Sequence, residues 1–261
     1  MVVSRDTFQE NSNYQMEKTA AKNFVIDFDS TFTQVEALDV LGEISLSGTD
    51  KEEVLLKIKD YTDSAMAGNI SFRESLNGRI KLLHAHKDQL PELISVLRNK
   101  VSKSFIRNKE FLTNHTENVY IISNGFKEFI CPIVKEYGVK EEHVFANTFC
   151  YDDSGYIVGF DMDNILSGDK GKPAVIKEMK LKGEVHVIGD GYTDYEIREY
   201  GMAERFYAFT ENVSRKKVLE KADHIAPSLD EILYHNNMER ALSYPKNRIK
   251  VLLLENIHSV G

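Results

Sequence analysis

The 261-residue sequence contains no tryptophan and only two cysteines. Cys131 and Cys150 are too few to form a disulfide framework, and their spacing does not match a metal-binding pair. We therefore interpret both cysteines as buried packing residues of a protein from a reducing compartment. The scarcity of cysteine excludes a disulfide-stapled secreted scaffold.

Long apolar runs are also missing. No stretch approaches the length needed to span a bilayer, and the N-terminus lacks the apolar centre of a signal peptide. Basic residues number 33 against 41 acidic ones, for a net charge of -8. This balance argues against a general binder of nucleic acid or anionic membranes. The missing signal peptide and the two cysteines predict a cytoplasmic protein. A small anionic substrate remains compatible, because a local site can be positive.

The most informative stretch is an apolar run, Phe24, Val25 and Ile26, that leads into two carboxylates, Asp27 and Asp29. A short run that is apolar on both sides predicts a strand of a parallel sheet covered by helices. Ligands bind such sheets at the carboxyl ends of the strands. Two readings of the carboxylates stay open on this segment alone. They belong either to a metal site with a carboxylate nucleophile or to an ordinary capping loop before a helix.

The rest of the chain alternates between helical and strand patterns. After Val35, helical periodicity continues for about seventy residues, which is more than one crossover helix needs. Further apolar strands, each followed by a helix, predict a doubly wound α/β core of the Rossmann type with an inserted cap of four helices. The predicted organisation is a polar leader at 1–22, a catalytic core at 23–35 and 104–240, a cap at 36–103 and a tail at 241–261.

Four polar motifs fall at strand ends or helix starts of this framework. They are residues 27–31, Ser123 after its strand, Lys170 in a Gly-Asp-Lys-Gly-Lys segment, and residues 189–194 with the sequence Gly-Asp-Gly-Tyr-Thr-Asp. Each motif alone is typical of a turn or cap. Together and in this order, they resemble the haloacid dehalogenase superfamily and, within it, the phosphoserine phosphatases. The resemblance extends over residues 23–233.

This resemblance implies a mechanism. Asp27 would be the nucleophile that forms an aspartyl-phosphate, and Asp29 would act as general acid and then general base. Lys170 would neutralise charge at Asp27. Mg²⁺ would be bound by Asp27, Asp190 and the backbone carbonyl of Asp29, with Asp194 nearby or as a further ligand.

The family pattern also implies substrate-binding residues. Ser123 would bind phosphate oxygens. Asn124, which follows Ser123, and Thr193, which lies in the motif of Asp190, would also bind the substrate. Asn124 stands where the family commonly has glycine. Its backbone N–H can still serve, although its side chain brings bulk beside the phosphate.

The cap segment at residues 65–83 resembles the corresponding segment of phosphoserine phosphatases. By this resemblance, Glu36 would meet the substrate ammonium and Arg79 the substrate carboxylate, because the planar guanidinium suits bidentate pairing. Met66 and Phe72 would close the pocket. The competing interpretation is that Met66 and Phe72 are core residues and that Glu36 and Arg79 form a surface pair.

The sequence therefore predicts a Mg²⁺-dependent phosphatase that hydrolyses O-phospho-L-serine in serine biosynthesis. Two alternatives remain: a related phosphatase or phosphotransferase for another small phosphate ester, and a binding module that kept the motifs without turnover. The tail, with an apolar run at 249–254, resembles the start of D-3-phosphoglycerate dehydrogenases. It suggests a fusion with, or a pathway link to, such an enzyme.

Overall fold

The computed structural model describes residues 21–240. The predicted leader up to residue 20 and the apolar run at 249–254 lie outside the described residues. The strands of the described part are β1 (Lys22–Ile26), β2 (Val119–Phe126), β3 (Val144–Asn147), β4 (Phe149–Tyr151), β5 (Ile157–Phe160), β6 (Glu184–Gly189), β7 (Arg205–Phe209) and β8 (His224–Ala226).

Six of these strands form one parallel sheet in the order β3-β2-β1-β6-β7-β8. The chain moves outward in one direction from β1 to β3 and in the other direction from β6 to β8. The direction therefore reverses between β1 and β6, which is the topological switch point of a doubly wound sheet. This arrangement confirms the predicted fold class.

The helices cover both faces of the sheet and form the insertion after β1. They are α1 (Ala37–Ser45), α2 (Lys51–Met66), α3 (Phe72–Leu83), α4 (Leu90–Arg98), α5 (Lys103–Arg107), α6 (Lys109–Asn114), α7 (Lys127–Val134), α8 (Gly171–Met179), α9 (Tyr192–Glu199), α10 (Lys216–Leu219) and α11 (Leu229–His235). The insertion contains α1 to α4, as the helical periodicity predicts. Helix α4 packs against both α1 and the core helix α7.

Strand β1 is buried on both faces, as its apolar run predicts. Phe24 and Ile26 belong to one hydrophobic cluster, whereas Val25 belongs to the other. Alternate residues of a strand point to opposite faces, so β1 anchors both halves of the core. The segment that follows it is therefore held by a strand that is buried on both faces.

Strand β3 joins the main sheet, whereas β4 pairs with β5 in a separate antiparallel hairpin. One detail differs from the sequence-based expectations. Cys150 lies on the outer face of that hairpin and is exposed, and Cys131 is half-buried. The prediction that both cysteines are buried is wrong, because β4 has only one face against the protein. Among residues 21–240, no helix is both long and apolar enough to cross a bilayer.

Candidate active site

The two carboxylates with the most central positions follow neighbouring strands. Asp27 comes directly after β1, and Asp190 directly after β6, on either side of the switch point. Asp194 lies in the first turn of α9. One carboxylate oxygen from each of Asp27, Asp190 and Asp194 lies within 4.8 Å of the others, and all three residues are buried. Three buried carboxylates this close form a donor set suited to a hard divalent cation.

The turn from Phe28 to Phe32 positions Asp29. The N–H of Thr33 donates to the carbonyl of Phe28 at 2.9 Å, and Ser30 adopts a left-handed conformation with φ of 55°. This geometry turns Asp29 towards α1, where its Oδ1 accepts a 2.7 Å hydrogen bond from the N–H of Ala37. The turn thus places a second carboxylate beside Asp27 without adding it to the three-carboxylate cluster.

The protonation of Asp29 differs from that of an ordinary aspartate. Burial, followed by the neighbouring carboxylate of Glu36, raises the pKa of Asp29 well above its usual range, and the charge of Asp27 adds to the increase. The Ala37 N–H and Arg79 oppose this shift only in part. Its raised pKa suits Asp29 to hold a proton beside Asp27.

The lysine beside Asp27 is Lys172, not Lys170. The Nζ of Lys172 lies 2.8 Å from Oδ1 of Asp27 and 2.7 Å from Oδ1 of Asp194. Lys170 has a left-handed backbone conformation just before α8, is exposed, and has its Nζ over the ring of Tyr200 at 5.1 Å. The placement of Lys170 next to the nucleophile is thus corrected. The first turn of α8 points Lys172 towards the sheet.

Lys172 and its partners form a buried charged network. Burial alone would lower the pKa of Lys172, but the charges of Asp194 and Asp27 raise it. Asp194 is held further by the Gly191 N–H, which donates to its Oδ2 at 3.1 Å. Burial and the charge of Asp27 raise the pKa of Asp194 to about 7. Asp190 accepts a 2.8 Å hydrogen bond from the hydroxyl of Thr31.

A cavity opens beside Lys172. Phe72 lies at its cap side, and Asn124 and Thr193 lie at its core side. Ser123, at the end of the apolar part of β2, is buried, and its Oγ accepts a hydrogen bond from the Gly125 N–H at 2.9 Å. The hydroxyl proton of Ser123 is thereby left to donate elsewhere. Of the predicted phosphate-binding residues, Asn124 and Thr193 thus line the cavity together with Lys172, and Ser123 directly precedes Asn124.

Met66 and Phe72 are both buried where the cap meets the core. A Cβ on Gly191 would lie 3.0 Å from the sulfur of Met66, so the last turn of α2 closely contacts the loop between β6 and α9. Phe72 belongs to the hydrophobic core and also lines the cavity beside Lys172. A closing role for the two side chains stays a prediction.

Glu36 and Arg79 also approach the site. Ser30 donates a 2.7 Å hydrogen bond to Oε1 of Glu36 at the start of α1. Arg79 is buried in α3, donates to Thr62 at 3.4 Å, and has Glu36, Asp39 and Asp29 as its charged neighbours. The interpretation of Glu36 and Arg79 as a surface pair is therefore wrong. The Nε of Arg79 is buried and makes no hydrogen bond with the described residues.

Arg215, before α10, was not predicted from the sequence. Its guanidinium contacts the carboxylate of Asp190 and lies 3.7 Å from Oε1 of Glu36. It therefore connects the three-carboxylate cluster to the first helix of the cap. In the sequence, Arg215 is followed by Lys216 and Lys217 and carries no signal that distinguishes it from them.

Comparison with known proteins identifies the family. The sequence model of the haloacid dehalogenase-like hydrolases matches residues 24–199. The chain belongs to this family. The matched range begins at β1 and extends through α9, so it includes Asp27, Ser123, Lys172, Asp190 and Asp194.

Individual relatives within the family are phosphoserine phosphatases. The chain is 28% identical over 211 residues to the chloroplastic phosphoserine phosphatase of Arabidopsis thaliana, covering 79% of this chain and 69% of that one. It is 28% identical over 210 residues to the phosphoserine phosphatase of Homo sapiens, covering 79% and 89%. A solved structure of a phosphoserine phosphohydrolase-like protein from Francisella tularensis is 29% identical, with a TM-score of 0.74, and covers 82% of this chain and 99% of that one.

Proposed function

We propose that this protein hydrolyses O-phospho-L-serine to L-serine and phosphate, with Asp27 as nucleophile. The observation that carries the proposal is the position of Asp27, whose carboxylate pairs with Lys172 and forms a cluster with those of Asp190 and Asp194. The relatives named above support the choice of substrate, because they are phosphoserine phosphatases that align with most of this chain. A role in serine biosynthesis would follow from this activity.

In the first step, a carboxylate oxygen of Asp27 attacks phosphorus, and the bond between phosphorus and the seryl oxygen breaks. The seryl oxygen needs a proton as it leaves, and Asp29 supplies it because its raised pKa keeps it protonated. In the second step, water attacks the phosphorus of the aspartyl-phosphate and loses a proton to Asp29. The bond to Asp27 then breaks and phosphate leaves.

Residues around Asp27 neutralise the negative charge of the carboxylates and of the phosphate. Lys172 offsets the charge of Asp27 and Asp194, so that a phosphate dianion can approach. The hydroxyls of Ser123 and Thr193 and the backbone N–H of Asn124 would bind phosphate oxygens. Asp27, Asp190 and the carbonyl of Asp29, with Asp194 beside them, fit Mg²⁺ by their hard oxygen donors. When bound, Mg²⁺ would stabilise the negative charge that develops on the phosphoryl oxygens.

We propose that Glu36 and Arg79 select the substrate by binding its ammonium and carboxylate groups. The buried guanidinium of Arg79 has an Nε without a hydrogen-bond partner among residues 21–240, so it would be a ready donor for the carboxylate of phosphoserine. Glu36 provides the negative charge for its ammonium group. Met66 and Phe72 exclude water from the closed site.

The test is a comparison of kcat/KM for O-phospho-L-serine, phosphoethanolamine, phosphoglycolate and p-nitrophenyl phosphate in the presence of Mg²⁺. We expect phosphoserine to be the best substrate, since only it has both an ammonium and a carboxylate. A clear preference for another ester would support the alternative of a related phosphatase. No turnover of any ester by a folded protein would support the non-catalytic alternative.

A further inference from the structure

Two histidines and one glutamate converge at the edge of the sheet, away from the catalytic carboxylates. His224 is the first residue of β8, and Glu231 and His235 lie one turn apart on α11. Oε1 of Glu231 lies 2.9 Å from Nε2 of His235 and 3.4 Å from Nε2 of His224. The two imidazole rings are 3.8 Å apart between centroids. One donor atom from each residue thus lies within 4.8 Å of the other two.

This cluster lies at the amino ends of the parallel strands, whereas the candidate active site lies at their carboxyl ends. His224 begins a parallel strand, whereas Asp27 and Asp190 follow the carboxyl ends of theirs. A cavity at the cluster is lined by His235 and by the first residues of other strands, Lys22, Glu184 and Arg205. The proposed phosphatase reaction therefore does not use these residues.

The surroundings of the three side chains suit a metal ion. Glu231 is almost fully buried, and its carboxylate meets both imidazoles. His224 and His235 have about a quarter of their side-chain surface exposed, so the two imidazoles are not sealed from solvent.

We propose that His224, Glu231 and His235 form a second metal site, one that binds Zn²⁺ or a similar borderline transition metal with water in the fourth position. Two imidazoles and one carboxylate are a donor set that Zn²⁺ accepts in proteins, whereas Mg²⁺ prefers oxygen donors alone. Because His224 belongs to β8 and the other ligands to α11, the metal would tie the edge strand of the sheet to the last described helix. Its expected effect is on stability.

The test is a Zn²⁺ titration of the full, untagged chain by calorimetry, with Mg²⁺ at saturating concentration to fill the oxygen-donor site. Co²⁺ then replaces Zn²⁺ in an absorption measurement, because its visible bands distinguish a four-coordinate site from a six-coordinate one. The variants are His224→Gln and His235→Gln, which keep a hydrogen-bonding group beside Glu231. His84→Asn is the control, since His84 is exposed and lies outside the cluster.

We expect one Zn²⁺ ion to bind the wild type and to raise its thermal midpoint. Loss of either ligand should weaken this binding by at least about 100-fold and abolish the shift, while His84→Asn behaves as the wild type. Equal Zn²⁺ binding by the wild type and both cluster variants would overturn the proposal, as would the absence of Zn²⁺ binding by the wild type. Neither result depends on the substrate of the catalytic site.

Discussion

Lys172 and Asp27 form a buried ion pair of 2.8 Å that joins the start of α8 to the end of β1. Both side chains are almost completely removed from solvent, and Asp194 shares the lysine at 2.7 Å. A buried cation between two carboxylates is strongly coupled to both, so its loss leaves negative charge without compensation. Loss of Lys172 should therefore affect both the stability of the folded protein and the reactivity of Asp27.

Replacing Lys172 by methionine should lower kcat/KM for phosphoserine by at least about 100-fold, because the nucleophile would lose its neutralising partner. Without Mg²⁺, the free energy of unfolding should also fall by about 3 kcal/mol or more. Steady-state kinetics and urea denaturation measure the two effects. The matched control is Lys170→Met, which removes an exposed lysine two residues away and should change neither quantity appreciably. A larger loss of activity in Lys170→Met than in Lys172→Met would contradict the assignment.

Arg79→Lys should reduce kcat/KM for phosphoserine by about 100-fold and that for p-nitrophenyl phosphate by only a few-fold. Lysine keeps the charge, but it cannot form the bidentate pair with a carboxylate that we assign to Arg79. Kinetics with both substrates measure the ratio, and the thermal midpoint checks that the fold is retained. Equal losses with the two substrates would show that Arg79 does not recognise the substrate carboxylate.

Asp39 provides a prediction for pH dependence. Burial and the charge of Glu36 raise the pKa of Asp39 to about 6, although Arg79 and Thr62 oppose the shift. A carboxyl whose pKa is higher in the folded than in the unfolded state contributes most stability at low pH, and this contribution is lost as the pH rises. The free energy of unfolding of the wild type relative to Asp39→Asn should therefore decline between about pH 4 and pH 6, by at most about 3 kcal/mol, and then level off. Urea denaturation at a series of pH values measures the difference. A difference that is constant with pH would contradict the shift.

Arg215 should compete with Mg²⁺ for Asp190, because its guanidinium contacts that carboxylate. In Arg215→Met, the dissociation constant for Mg²⁺ in the absence of substrate should decrease by on the order of 10-fold, or about 1.4 kcal/mol. Calorimetric titration with Mg²⁺ measures it without reference to turnover. Lys216→Met is the control, because Lys216 is exposed. Unchanged or weaker Mg²⁺ binding in Arg215→Met would exclude the competition.

The fold and the strand-end carboxylates could be predicted because their signals are local. The apolar run of β1 specifies a strand buried on both faces, and Asp27 and Asp190 follow directly from the ends of such strands. The choice between Lys170 and Lys172 could not be made in this way. The two are separated by two residues at a helix start, and only the exact first turn of α8 determines which one points towards Asp27.

Contacts between segments that are far apart in the chain could not be predicted from the sequence. Arg215 reaches Asp190 and Glu36 only because β7 and α10 return the chain to the carboxyl edge of the sheet. The cluster at His224 is similar, although the spacing of Glu231 and His235 by four residues on a helix was a visible signal. The third ligand, from another element, could be found only in the folded structure.

The central claim is that the phosphoryl group is transferred to Asp27 before water releases it as phosphate. The most direct measurement is acid quenching of the enzyme during turnover of phosphoserine labelled with ³²P, followed by mass spectrometry of the labelled peptide. We predict an alkali-labile phosphate on Asp27 in the wild type and none in a folded Asp27→Asn variant. Label on any other residue, or turnover without any covalent label together with an active Asp27→Asn variant, would contradict the mechanism.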